Sequence, residues 1–328
     1  MKVTRILAFL IALSSQQSLC QDRDTLIYDP TMENYTIWYR TKIPYARKAD
    51  GSLRRLSRDD SLLEGETYIQ KDTILSTVLE PTTKIEPEVR CSVTFDETSR
   101  SFTYFYSVKN EETSRQDLLE FTVGYGKQTA ALGADGTMWF GGQQYEPGAD
   151  RLLNSWSWLA AGPGTSPIKP GSSVEGFRLI SSAAPGVSVA YFAGKRSIFA
   201  EFVGGLSNQI LQRTLDELDV FPAGRVIRKT VAPIAPEAGL TPTDLLDTLT
   251  SYKHQALTLG WITNQGIANS LDQKLENARK QLDRGNNKAA KNVLQAFVNE
   301  VEAQKDKHLT SEAYALLKFN AEYLLSKH

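Results

Sequence analysis

The sequence predicts an α+β protein of two domains: an antiparallel β-sandwich of immunoglobulin-like size, followed by a small antiparallel four-helix bundle. Three observations carry this expectation. From about Glu88 to Ser207 apolar residues alternate with period two, the spacing that buries one face of a strand. From Thr243 onward they recur every three or four residues, the spacing of a helix stripe. Between the two rhythms runs "FPAGRVIRKTVAPIAPEAGLTP", with Pro222, Pro233 and Pro236 ahead of Pro242, a composition that extends and stiffens a chain.

The chain opens with "MKVTRILAFLIALSSQQSLCQD". Lys2 and Arg5 precede eight apolar residues, Ile6 to Leu13, and small and polar residues follow. That is the layout of a secretory signal peptide over residues 1–20, with an apolar stretch too short for a bilayer core of about 30 Å. Cleavage near Cys20 is expected, giving a secreted or periplasmic product. Gln17 and Leu19 do not fit a lipoprotein signal, which wants Leu three positions before the cysteine and a small residue just before it. Cleavage after Cys20 leaves Cys91 as a free thiol; earlier cleavage would allow Cys20 and Cys91 to pair. Within "EVRCSVTF" Cys91 reads first as a buried strand thiol.

Residues 21–87 carry short strand-like runs, "YTIWYR" and "TYIQKDTILSTVL", between polar clusters. Arg54, Arg55 and Arg58 are interleaved with Asp59 and Asp60, which marks a solvated loop rather than a phosphate site. Asn34-Tyr35-Thr36 matches a glycosylation acceptor. In residues 88–207 the alternation is regular. Phe102, Tyr104, Tyr106 and Val108 share one strand face, as do Leu119, Phe121, Val123 and Tyr125. Turn residues such as Asp96-Glu97-Thr98-Ser99 separate the runs, and no segment has the length of a crossover helix. Residues 208–242 read as a short helix near "LSNQILQRTLDEL" and the proline-bearing linker.

Four amphipathic helices follow in residues 243–328. Thr243 is placed to cap the first, whose stripe is Leu245, Leu249, Tyr252 and Ala256. Ile267, Leu271, Leu275, Ala278 and Leu282 line the second, and Gly285 supplies a left-handed stop. Asn286 or Asn287 caps the third, which carries Ala290, Leu294, Phe297 and Val301. Thr310 caps the fourth, which carries Ala313, Leu317, Ala321 and Leu324. Trp261, after Gly260, is placed to plug one end of the bundle. The buried side chains only balance the ordering entropy of such a bundle, so docking to a neighbour is expected to support it.

The segments "GIANSL", "KLENA", "AFVNEVEAQ" and "LTSEAYALL", in this order, resemble the FIMAH module found at the ends of secreted bacterial proteins. The resemblance runs from about Thr243 to Leu325. It implies a helical bundle, a bacterial origin and an exported location, and it brings no catalytic residues.

The balance of 37 basic against 38 acidic residues gives no field for nucleic acid, and no later stretch is apolar enough for a membrane span. The three histidines, His254, His308 and His328, have no second ligand at metal spacing, so no metal and no cofactor are expected. There is no nucleophile elbow, P-loop or dinucleotide fingerprint, and no catalytic residue is assigned. Unpatterned carboxylates from different strands leave a hydrolase as the lesser alternative.

Aromatic density is the one positive signal, with 17 of 31 aromatic residues lying between Phe95 and Phe202. Trp156 and Trp158, two apart, share a strand face, and Trp139 and Tyr145 flank "FGGQQ", whose glycines leave the rings room. Two readings follow: sandwich core, or a flat platform for the C–H face of a sugar. The four residues Trp139, Tyr145, Trp156 and Trp158 are the candidate ligand-binding set. The expected role is non-catalytic binding of a glycan or protein partner at the cell surface, with a structural subunit as the alternative.

Overall fold

The computed structural model describes residues 25–31, 33–57, 60–126, 131–135, 139–144, 153–160, 165–194, 225–237 and 239–327. The signal segment, the helix expected near residues 208–219 and Tyr145 lie outside them. The chain forms two compact units, Met1–Pro81 with Arg196–Ala223, and Thr82–Lys195 with Gly224–His328.

In the first unit a four-stranded antiparallel sheet is built on one long strand. β2 (Asn34–Arg47) pairs β1 (Thr25–Asp29) at its start and β3 (Leu53–Arg55) at its end. On its other side it pairs β4 (Thr67–Leu79) along its whole length. The β2–β3 reversal turns on Asp50-Gly51, where Gly51 sits at φ 84° and Ser52 N–H is bonded by Asp50 Oδ1. Asn34 is only 9% exposed and lies in a paired strand, so the glycosylation triplet is not presented as an accessible acceptor.

Within the arginine cluster Arg54 is held in place by neighbouring groups. Arg54 forks onto Glu66, with Nη2 at 2.7 Å from Oε2 and Nε at 3.2 Å from Oε1, and Glu66 also accepts Leu63 N–H at 3.0 Å. These bonds, Arg54 first, hold the Glu66 carboxyl down at about 2 from its ordinary 4.5. A carboxyl depressed on folding stabilises the fold above its unfolded value, and that contribution is lost as pH falls through the folded value. Glu66→Gln is therefore expected to lower stability at neutral pH, with its difference from wild type fading in an acid titration down to about 2.

The second unit contains two facing antiparallel sheets. One has the order β13-β12-β7-β10-β9: Val226–Pro233, Pro185–Gly194, Leu118–Gly126, Leu153–Leu159 and Phe140–Gln144. The other has the order β5-β6-β11-β8: Pro87–Asp96, Ser101–Asn110, Ser173–Ser181 and Ala131–Asp135. Tyr104, Tyr106, Val108, Phe121, Val123 and Tyr125 all enter the shared core, as the alternation predicts. The buried Tyr104 and Tyr106 hydroxyls donate to Ala183 O at 2.7 Å and Val231 O at 3.0 Å, so neither carries an unsatisfied proton.

The four helices follow as expected: α1 (Pro242–Thr258), α2 (Gln265–Asp283), α3 (Asn287–Gln304) and α4 (Ser311–Ser326). Asn264, Asn286 and Thr310 cap α2, α3 and α4. The α1 cap is Thr241, not Thr243: Thr241 and Asp244 form a reciprocal capping box around Pro242, the first helical residue. Gly285 ends α2 at φ 71°.

One expectation about the connector differs from the structure. Residues 226–233 are a strand, fully registered on β12 from Phe192↔Val226 to Pro185↔Pro233. An edge strand tolerates Pro233, because its missing N–H costs no ladder bond there. The bundle docks on the sheets, as the thin margin of its own core leads one to expect. Ala315 and Phe319 of α4 belong to the sandwich core, and the Phe319 ring meets Phe102 edge-on at 5.2 Å. Asn320 Nδ2 donates to Pro185 O at 2.7 Å. At Gly186 an added Cβ would lie 2.6 Å from Ile234 and 2.9 Å from the Tyr252 hydroxyl of α1, so this close approach needs glycine.

Candidate functional site

Of the four candidate aromatics, Trp139 and Trp158 are buried. Trp158 is 1% exposed, stacks on Phe121 at 5.1 Å and 13°, and meets Phe177 edge-on. Trp139 is 6% exposed, packs edge-on against Phe177, and donates its indole N–H to Ser166 O at 3.2 Å. Both rings are core. Register decides this: Trp158 is paired with Phe121 and Trp156 with Val123, so the two tryptophans of β10 point to the same inward side as those residues of β7. Trp156 is half-buried against that core. The Gly141 glycine does leave room, but for packing: a Cβ there would reach 3.0 Å from the Trp156 Nε1. Tyr145 lies outside the described residues.

The residues that do meet around open space come from three other segments. Beyond α1 and its C-cap Leu259, Gly260 takes φ 74° and the chain turns into Trp261, whose N–H bonds Ala256 O at 2.8 Å. α3 ends at Lys305, and Asp306 follows with φ 59°, a conformation that side chains rarely adopt. The two turns are hydrogen-bonded to each other. Thr263 N–H bonds His308 O, Thr310 N–H bonds Trp261 O, both at 2.9 Å, and Ile262 bridges Leu309. Strand β5 supplies the opposite wall with Glu88, Val89 and Arg90. Together they line a cleft of ≈ 370 Å³.

Polar groups in this cleft fall into two sets. Some are committed to the fold. Glu312, 5% exposed, accepts Cys91 N–H at 2.6 Å, Arg90 pairs with Glu88 at 2.9 Å, and Lys307 donates to Ala303 O. Others are uncommitted. Among the described residues the Asp306 carboxylate, the His308 ring and the Trp261 indole N–H make no hydrogen bond. Trp261 is half-buried and packs against both the sandwich core and the bundle core, so its remaining face borders the cleft.

Nucleophilic chemistry gains no support here. Cys91, behind the β5 wall, is a free, fully buried thiol; burial, then the Glu312 charge, push its pKa well above the ordinary value. Among the described residues no three His, Cys, Asp or Glu groups gather as metal ligands.

Sequence reading missed Glu312, the Asp306–His308 turn and a buried lysine. Lys253 is 1% exposed, pairs with Asp272 of α2, and shares that carboxylate with His254 at 3.2 Å. A signal for Lys253 existed: it falls on the Leu246, Leu249, Ala256 stripe at helical spacing, where a polar residue implies a buried partner.

The fold and cleft of the second unit define a two-sheet antiparallel sandwich with a sheet edge covered by a four-helix module. That module is similar to a known family: the FIMAH domain model matches residues 246–326, within the span of the four helices. No curated protein matches the chain. No helix of the described residues is long and apolar enough to cross a membrane.

Proposed function

We propose that this is an exported, non-catalytic binding protein whose recognition site is the cleft between β5 and the two bundle turns, with a saccharide as ligand. The observation that carries the reading is the juxtaposition of a half-buried indole with an uncommitted carboxylate and imidazole. An aromatic face packs on a sugar's C–H face while a carboxylate and a ring nitrogen bond its hydroxyls. The FIMAH match and the signal-like N-terminus support export to the cell surface.

A glycan array on the mature chain tests this, with Asp306→Gly and His308→Ala as site variants. Glycine relieves the positive φ at position 306, so that variant should keep or raise the melting temperature. Each variant is expected to weaken binding roughly tenfold, the effect of one hydrogen bond to a ligand. Bound glycans should be recovered uncleaved. Undiminished binding in both variants would remove the cleft as the site, and a blank array would move the reading to a protein partner.

A further inference from the structure

We infer that the helical module is an edge guard: α4 covers the open edge of β5 and prevents a second copy of the chain from adding its own β5 there. β5 is the terminal strand of its sheet, and an uncovered terminal strand presents unpaired N–H and C=O groups to any other strand. Two of those groups on β5 are met by side chains. Cys91 N–H is bonded by Glu312 from α4 at 2.6 Å, and Pro87 O by Arg228 of β13 at 3.0 Å. Ala315 and Phe319 carry α4 over the core beside them.

The occupant excluded is a second β5, because the strand is self-complementary. In an antiparallel pair centred on Cys91, Val89 would face Val93 and Pro87 would face Phe95, all on one face. On the other face Glu88 would meet Thr94 and Arg90 would meet Ser92, with no like charges opposed. Cys91 N–H and C=O, both directed away from β6, would exchange bonds with their counterparts.

The experiment uses the full mature chain. Glu312→Ala with Phe319→Ser removes the polar latch and the apolar contact together. Release of α4 is read as alkylation at Cys91, mapped by mass spectrometry on dilute protein. Association is read by light scattering across concentration. The expected result is alkylation at Cys91 and a doubling of mass relative to wild type at high concentration. Adding Ser92→Lys, which sets a cation opposite Arg90 of the second copy, should restore the wild-type mass. Three results would overturn the inference. One is an alkylated Cys91 with unchanged mass; another is a doubled mass indifferent to Ser92→Lys. The third is a protected Cys91 with unchanged mass, which would mean that these residues do not hold the guard in place.

Discussion

Trp158→Ala is expected to lose about 3–5 kcal/mol of stability, enough to leave much of the protein unfolded at modest urea. The ring is enclosed by Phe121, Phe177 and Tyr106 at centroid distances of 5.1, 5.5 and 6.2 Å. No flexible neighbour can collapse into the space, because Phe121 is itself stacked on Phe192 at 5.3 Å. Trp156→Ala, at a half-buried site beside Gly141, should cost clearly less. Urea melts of the two variants check the ranking. A ligand platform would give the reverse pattern, with stability kept and binding lost in Trp158→Ala.

The second large effect is an asymmetry within one ion pair. Asp272→Ala should destabilise by about 3 kcal/mol, because it leaves the Lys253 ammonium buried without its partner. The lower end of the usual range applies because the Asp272 side chain is 38% exposed and water can approach from that side. Lys253→Met should be neutral or stabilising, since a similar apolar chain fills the slot between Leu249 and Ala256 without a desolvation cost. Equal losses in the two single variants would contradict this account. His254 bonds the same carboxylate from an exposed position, so His254→Ala should change stability little.

These predictions mark where sequence reading succeeds and stops. The alternation through Tyr104, Tyr106, Phe121 and Val123 is a local consequence of side chains pointing to opposite faces, so their burial was legible. So were Asn286, Thr310 and Gly285, because caps and stops are solved within one turn of chain, although at α1 the cap fell two residues earlier than read, on Thr241. Trp156 and Trp158 were placed on one face, but which way that face pointed depended on pairing with Val123 and Phe121, 33 and 37 residues away. The cleft was illegible for the same reason. Arg90, Trp261 and His308 are 171 and 47 residues apart in succession, and no local pattern joins them.

The sequence by itself determined the alternating strands of the sandwich, the four helices with most of their caps, and the resemblance of the last quarter to a FIMAH module, since each depends on spacings of a few residues. Only the tertiary structure decided that residues 226–233 complete a sheet, that Phe319 belongs to the sandwich core, and that Glu312 reaches Cys91 across 221 positions. The physical reason is that hydrogen-bond and packing partners distant in the chain are chosen by where whole faces meet. A face advertises its apolarity in sequence but not its partner.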